Sequence, residues 1–402
     1  MTTTAEPMLP LRRGRTCPFS PAEEFARLRA EEPVFRTTLP TGDEAWVVTR
    51  HADILRVLGD PAGFSNAVAG AGPIPPPRDA EGRVPAAQPG FFVAYDPPDH
   101  GRYRRAIARE LGVRRVNRLA DRVERICAEH LDAFAARGPG ADFMASVAHP
   151  VTSSVICELL GVPRGGRPAF RRRAERLFDL TTTPEQQAAN FTEMGQYMAE
   201  LVRGHRNAPG PGLVGRLVRD HGEDFTDAEL AGTANLLLLA GHETTANMLG
   251  LGLLLLLRHP EQAALVRARP ALARRAVEEL LRYLTVVHYG VVLSAVVDTE
   301  VAGVPIRAGE WLMCAFPSGN RDPDYLADAD RFDVTREPTA HLAFGHGIHY
   351  CAGAALARLQ LRTVLGQVLR RFPELRLGVP FEEVRFQSLS ATYGLAALPL
   401  QW

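Results

Sequence analysis

The sequence predicts a mainly α-helical protein with a minor β portion, and three observations carry that expectation. Helical periodicity dominates from Asp96 to about Tyr289. A long apolar run, Ala234 to Leu257, reads as a buried core helix and not a membrane span, because His242, Glu243, Thr244, Thr245 and Asn247 interrupt its middle. Strand-like runs are short and confined to the regions before residue 51 and after residue 290.

Taken in order, residues 1–15 read as a flexible N-terminal arm ahead of one domain spanning 16–402. PAEEFARLRAEE has the spacing of a short helix, and VFRTTL and AWVVTR, joined by PTGDE, read as a β-hairpin. The stretch Ala69–Pro89 is saturated with Gly and Pro, which marks a loop that is either functional or disordered. Breakers such as GVPRGGRP and NAPGPG then separate the helical segments. VVLSAVV, TEVAGVPI and EWLMCA read as strands, Asn320–Pro338 as an irregular Asp-rich segment, and about Ala352 to Arg371 as a helix before a strand-rich tail. There is no fixed-period repeat, linker or heptad pattern, so a single domain is expected.

The 402 residues carry 46 basic and 46 acidic side chains, which gives no reason to expect a nucleic-acid or other polyanionic partner. All the basic residues are Arg, so any positive docking surface must be built from guanidinium groups. Five scattered cysteines, an odd number, argue against a disulfide framework and for a reducing compartment. Met1–Pro10 lacks the basic and apolar regions of a signal peptide. A cytoplasmic, soluble monomer without a membrane anchor is the expectation.

Chemistry concentrates in Ala343–Gly353, AFGHGIHYCAG. By itself Cys351 reads as a buried structural thiol, since free cysteine is among the most buried residue types. A zinc site needs about four ligands, and beyond His346 and His349 no second Cys or His pair lies nearby. A nucleophilic cysteine needs a helix N-terminus and a base, both compatible with this loop, but a glycine-lined turn without Ser or Thr offers little to hold an acyl substrate. A thiolate at a helix N-terminus, serving as axial ligand to a haem iron, explains more: glycines at 345, 347 and 353 let a flat macrocycle approach the backbone.

On these residues the sequence resembles the cytochrome P-450 family. The family's cysteine-loop pattern is met at Phe344, Gly345, Gly347, His349, Cys351, Gly353, Leu356, Ala357 and Arg358. Ala240-Gly-His-Glu-Thr-Thr245 resembles its oxygen-activation motif. There Ala240 and Gly241 let the helix lie over the macrocycle at a local opening, while Glu243 and Thr244 manage protons. The bland alternative is a helix-bending Thr that bonds the carbonyl four residues earlier. Glu279 and Arg282 match the Glu-x-x-Arg pair, and the resemblance implies that Arg331 completes their structural cluster. His100 and Arg104, at i and i+4, are implied to hold haem propionates together with His349. The family usually places a further propionate-binding Arg on the following strand, and the matching position is Leu293.

The resemblance covers essentially the whole chain from about Thr16. It implies a cytochrome P-450-like domain with haem b (iron protoporphyrin IX) between the long oxygen-motif helix and the cysteine-loop helix. The implied function is a haem-thiolate monooxygenase inserting one oxygen atom from dioxygen into a lipophilic small molecule, by hydroxylation or epoxidation, in bacterial secondary metabolism. Electrons are implied to come from a separate ferredoxin and ferredoxin reductase. Two alternatives stand beside it: a haem-thiolate enzyme of oxidative coupling or dehydration, and a non-enzymatic haem sensor. The pocket walls are expected at 67–94, 167–190, 236–240, 286–293 and 389–393.

Overall fold

A computed structural model of the chain describes residues 13–14, 17–39, 42–67, 88–177, 182–287, 290–387 and 392–402. Its centre is the helix Asp227–Arg258, 32 residues long. Thr226 starts it with a capping box: its side chain accepts from the Glu229 N–H, and the Glu229 carboxylate accepts from the Thr226 N–H at 2.8 Å. Pro260 opens the next helix, Pro260–Ala268, and so ends the first. Between its ends the helix buries Leu residues on nearly all sides, as the apolar run requires.

Several helices pack against this core rod, Pro184–Asn207 among them. His149–Leu160 lies against it through Gly241, where an added Cβ would stand 2.9 Å from Ile156 Cδ1. Ala354–Arg371 packs beside it near Gly252, which faces Leu280 and Leu365. No helix among the described residues is long and apolar enough to cross a membrane.

The β portion follows the sequence reading closely. Strands β1 (Val34–Thr38) and β2 (Glu44–Val48) form the expected antiparallel hairpin, with Phe35 opposite Val47. β3 is Phe64–Ser65, β4 Val292–Ala295, β5 Thr299–Val301, β6 Val304–Ile306 and β7 Trp311–Cys314. The main sheet runs β1-β2-β7-β4-β3, with β2 and β7 parallel, while β5 and β6 pair as a separate hairpin. Leu293 on β4 sits opposite Leu312 and is buried with Phe64, Phe316 and Leu342. The tail contributes two-residue strands at Arg376–Leu377, Phe386–Gln387, Gly394–Leu395 and Leu400–Gln401.

Of the arm expected over 1–15, Arg13 and Gly14 are among the described residues. The Arg13 guanidinium donates to the carbonyls of Leu284 (3.1 Å) and Thr285 (3.0 Å) and lies 4.3 Å over the Tyr393 ring. Most of the Gly/Pro-rich loop falls outside the described residues, as do parts of the other expected pocket walls. Its far end, Pro89–Gly90, is seated on the long helix: a Cβ on Gly232 would meet the Pro89 carbonyl oxygen at 1.8 Å, so residue 232 must be glycine for this contact.

Candidate active site

The cysteine loop is shaped by two glycines with left-handed backbones, Gly345 (φ +68°) and Gly347 (φ +69°). At Gly347 a side chain is excluded twice, because its Cβ would also meet the Leu58 carbonyl oxygen at 2.1 Å. The turn brings the Cys351 N–H back to the Phe344 carbonyl at 2.9 Å. Gly353 then caps the helix Ala354–Arg371, and the N–H groups of Gly353 and Ala354 donate toward the Cys351 sulfur. Burial pushes the Cys351 thiol up, while these amides and the guanidiniums of Arg104 and Arg358 favour the thiolate. A coordinated metal ion settles such a contest by deprotonating the thiol outright.

Among the described residues no group of three or more His, Cys, Asp or Glu side chains converges, so a closed zinc site at this loop lacks its ligand set.

His100 lies in the first turn of the helix Asp99–Leu111 and is buried. Its ring centroid stands 4.1 Å from that of His349, so the fold brings together two residues far apart in sequence. Burial lowers the pKa of both imidazoles, that of His349 to about 4, with His100 and Arg104 adding to the effect at His349. The Nε2 atoms of both rings are buried without a hydrogen-bond partner. Leaving such a group unsatisfied costs about 1–3 kcal/mol. Two orphans beside the Arg104 guanidinium therefore form an arrangement that an anionic ligand completes. Arg104 itself donates to the Tyr350 carbonyl. Leu293 supplies no charge here: it lines a hollow of about 30 Å³ together with Phe316, Gly345 and His349.

The second motif occupies the middle of the long helix, and exposure there has a helical period. Leu238, His242 and Thr245 are buried, whereas Ala240 is exposed and Glu243 and Thr244 are partly so. Residues 240, 243 and 244 share one face. That face borders open space although the helix is buried around it. The helix is α-helical without interruption through the motif, so the expected local opening is not present. Instead the Thr244 hydroxyl donates to the Ala240 carbonyl at 2.7 Å, the bond of the helix-bending reading. His242 points the other way, its Nδ1 3.0 Å from Thr152 Oγ1.

These features fit a haem. A cysteine of intermediate burial at a helix start, two orphaned imidazole nitrogens beside a guanidinium, and an open face on an otherwise buried helix are surroundings that suit a flat, doubly anionic macrocycle.

The structural cluster is partly as expected. Arg282 grips Glu279 with two bonds of 2.7 and 2.8 Å, and both side chains are almost fully buried. Arg282 also donates to the carbonyls of Asn320 (3.0 Å) and Ala329 (2.7 Å), tying the irregular segment to the helix Ala273–Leu284. Arg331 is a correction. Its side chain is 68% exposed and pairs with Asp333, and it offers the cluster only its carbonyl. The further guanidinium on Glu279 belongs to Arg336, at 3.3 Å.

Sequence reasoning also missed Glu278. Its carboxylate accepts from Arg358 at 2.7 and 2.9 Å and lies 3.2 Å from His341 Nε2. Nothing in the sequence distinguishes it from other acids on charged helix faces.

Comparison with known proteins agrees with this geometry. The family model for cytochrome P-450 matches residues 213–377. The chain is 40% identical to vitamin D3 dihydroxylase of Streptomyces griseolus, over 100% of this chain and 98% of that protein. It is 41% identical to nocardicin C N-oxygenase of Nocardia uniformis subsp. tsuyamanensis, over 94% of each. Among solved structures, OxyE, involved in teicoplanin biosynthesis, superposes with a TM-score of 0.88 at 39% identity, covering 98% of this chain and 100% of that one. A whole-length match at this identity, with the same fold, makes the chain a member of the cytochrome P-450 family.

Proposed function

We propose that Cys351 would supply the thiolate that holds the iron of a haem b, whose propionates His100, Arg104 and His349 would bind, with Leu293 contributing no charge. The observation that carries the reading is the pair of buried, partnerless Nε2 atoms on His100 and His349, set beside Arg104 and the helix start that follows Cys351. The chain is a haem-thiolate monooxygenase of bacterial secondary metabolism. Haem bound here supplies the reduction of dioxygen with two electrons and the transfer of one oxygen atom to the substrate.

The residues of the chain then have separate tasks. Gly345 and Gly353 keep side chains clear of the macrocycle beside Phe344, and Ala240 does the same on the long helix, whereas the missing side chain of Gly241 serves the packing against Ile156. Glu243 carries protons toward the open face, and the Thr244 hydroxyl, released from the Ala240 carbonyl, hands them on. Glu279, Arg282 and Arg336 hold the fold around the cysteine loop.

The substrate is a lipophilic small molecule, a reading supported by the relative named for vitamin D3. Electrons come from a ferredoxin and its reductase. The exposed Arg105, Arg109 and Arg114 form the docking surface. Arg102, Arg115 and Arg358 are excluded from it by their pairing with Glu229, Glu110 and Glu278.

The experiment is to identify a substrate by the spectral shift it causes in the haem-loaded protein and to run turnover under labelled dioxygen. One labelled oxygen atom in the product is expected. A coupled or dehydrated product without label would replace oxygen insertion with the non-oxygenating alternative, and no turnover of any bound compound would favour the sensor.

A further inference from the structure

We propose that Glu278 and Arg358 form a compensated charge pair that sets the electron affinity of the haem iron by controlling how much positive charge the Cys351 sulfur feels. The inference rests on Cys351 being the iron ligand.

The geometry places one guanidinium at the base of the cysteine loop. Arg358 is the fifth residue of the helix Ala354–Arg371 that Cys351 leads into. Its guanidinium lies 4.5 Å over the Phe344 ring and donates to the Tyr350 hydroxyl at 3.1 Å. Phe344 is the residue whose carbonyl receives the Cys351 N–H, and Tyr350 is the preceding residue, so Arg358 touches the loop at both ends of the turn that presents the sulfur.

The opposing charge is built with equal care. Glu278 takes Arg358 in a bidentate pair, both side chains being partly buried, with 13% of Glu278 and 27% of Arg358 exposed. Burial by itself would raise its pKa, but the bonds from His341 and Arg358 bring it down to about 2, so the carboxylate is ionised at any working pH. Tyr350 and Phe344 are neutral, and Arg104, the other cation acting on the sulfur, donates to the Tyr350 carbonyl. With Arg104 common to every variant, the change in charge at the base of the loop is decided by whether Arg358 is balanced.

Reducing ferric to ferrous iron adds one electron to the haem and no proton to this pair. An unbalanced positive charge beside the sulfur favours the added electron, and an unbalanced negative charge opposes it. Glu278→Gln leaves the guanidinium unbalanced and shifts the ferric–ferrous equilibrium toward ferrous. Arg358→Gln leaves the carboxylate and shifts it toward ferric. A charge within about 4–6 Å moves an equilibrium by about tenfold or more, so shifts of opposite sign and up to about tenfold are expected here. The double variant, Glu278→Gln with Arg358→Gln, restores neutrality and should return near the wild-type value. Arg358→Lys keeps the charge with poorer geometry and should stay near wild type also.

The test is a dye-mediated redox titration of the haem-loaded variants without a redox partner, with the spectrum of the reduced, carbon monoxide-bound form recorded for each. Opposite shifts in the single variants and recovery in the double variant support the pair. A merely structural clamp predicts single variants that move in the same direction, a double variant no better than either, and haem loss in Arg358→Lys as well; any of these overturns the proposal. If Glu278→Gln does not load haem, comparison of Arg358→Gln with Arg358→Lys still decides, since equal potentials in those two variants would overturn it. A wild-type spectrum without the thiolate signature would instead remove the Cys351 assignment on which the inference stands.

Discussion

Replacing Arg336 with Met tests the corrected cluster around Glu279. The Glu279 side chain is 2% exposed and the Arg336 side chain 16%, whereas Arg331 is 68% exposed. Removing one side of a buried ion pair costs about 3–5 kcal/mol when the remaining charge is left alone. Glu279 is not left alone in this variant, because it keeps both bonds from Arg282 and accepts the Asp333 N–H at 3.0 Å. The loss is then that of a charge-assisted hydrogen bond, about 1.5–3 kcal/mol. Arg336 also donates to the carbonyls of Asp328 (3.0 Å) and Arg331 (3.1 Å), which puts the expected value in the upper half of that range. Arg331→Met removes an exposed pair and should cost under about 1 kcal/mol. Glu279→Gln, which leaves Arg282 buried without its anion, should cost the full amount of about 3–5 kcal/mol. Urea unfolding of the three variants with unchanged m-values provides the comparison. Equal destabilisation by Arg331→Met and Arg336→Met would refute the assignment.

Three further outcomes follow from the site. His100→Leu and His349→Leu should each speed haem loss, with Arg104→Ala at least as damaging, since charge-assisted bonds are worth about 1.5–3 kcal/mol; unchanged release rates to an apo-globin acceptor would remove these residues from the propionate site. Burial holds the His242 imidazole at about 3, below its ordinary 6.5. The unfolded state therefore binds the extra proton, and His242 makes stability fall as pH drops from about 6.5 toward 3, by up to about 1.4 kcal/mol per pH unit. His242→Phe should flatten that part of the urea-unfolding profile, and an unaltered slope would contradict the buried neutral assignment. Thr244→Ala should bind haem and substrate normally yet divert electrons to hydrogen peroxide, because proton-transfer contributions reach about 100- to 10,000-fold; intact coupling would leave the hydroxyl with its helix-bending bond to Ala240 as its whole role.

The sequence carried the parts of this molecule that depend on local spacing. The cysteine loop could be read because left-handed glycines and a helix start are encoded within eleven residues, and the hairpin because its strands adjoin their turn. His100 and Arg104 could be paired because one helical turn separates them. What could not be read depends on tertiary approach. Arg336 replaces Arg331 because the turns around Asp328–Asp333 direct one guanidinium inward and the other to solvent, a choice that two arginines five positions apart do not reveal. Glu278 and Arg358 are eighty residues apart and meet through the packing of two helices. The helix-bending bond of Thr244 and its proposed work with protons use the same hydroxyl, so neither the pattern nor the geometry alone separates them.

The assignment of Cys351 is tested most directly by the spectrum of the reduced, carbon monoxide-bound protein, recorded for wild type and for Cys351→His. The thiolate account predicts the red-shifted Soret band of a haem-thiolate in the wild type and its disappearance in the variant, with haem still bound. The same red-shifted band in both proteins would contradict it and transfer the ligand role to another of the five cysteines.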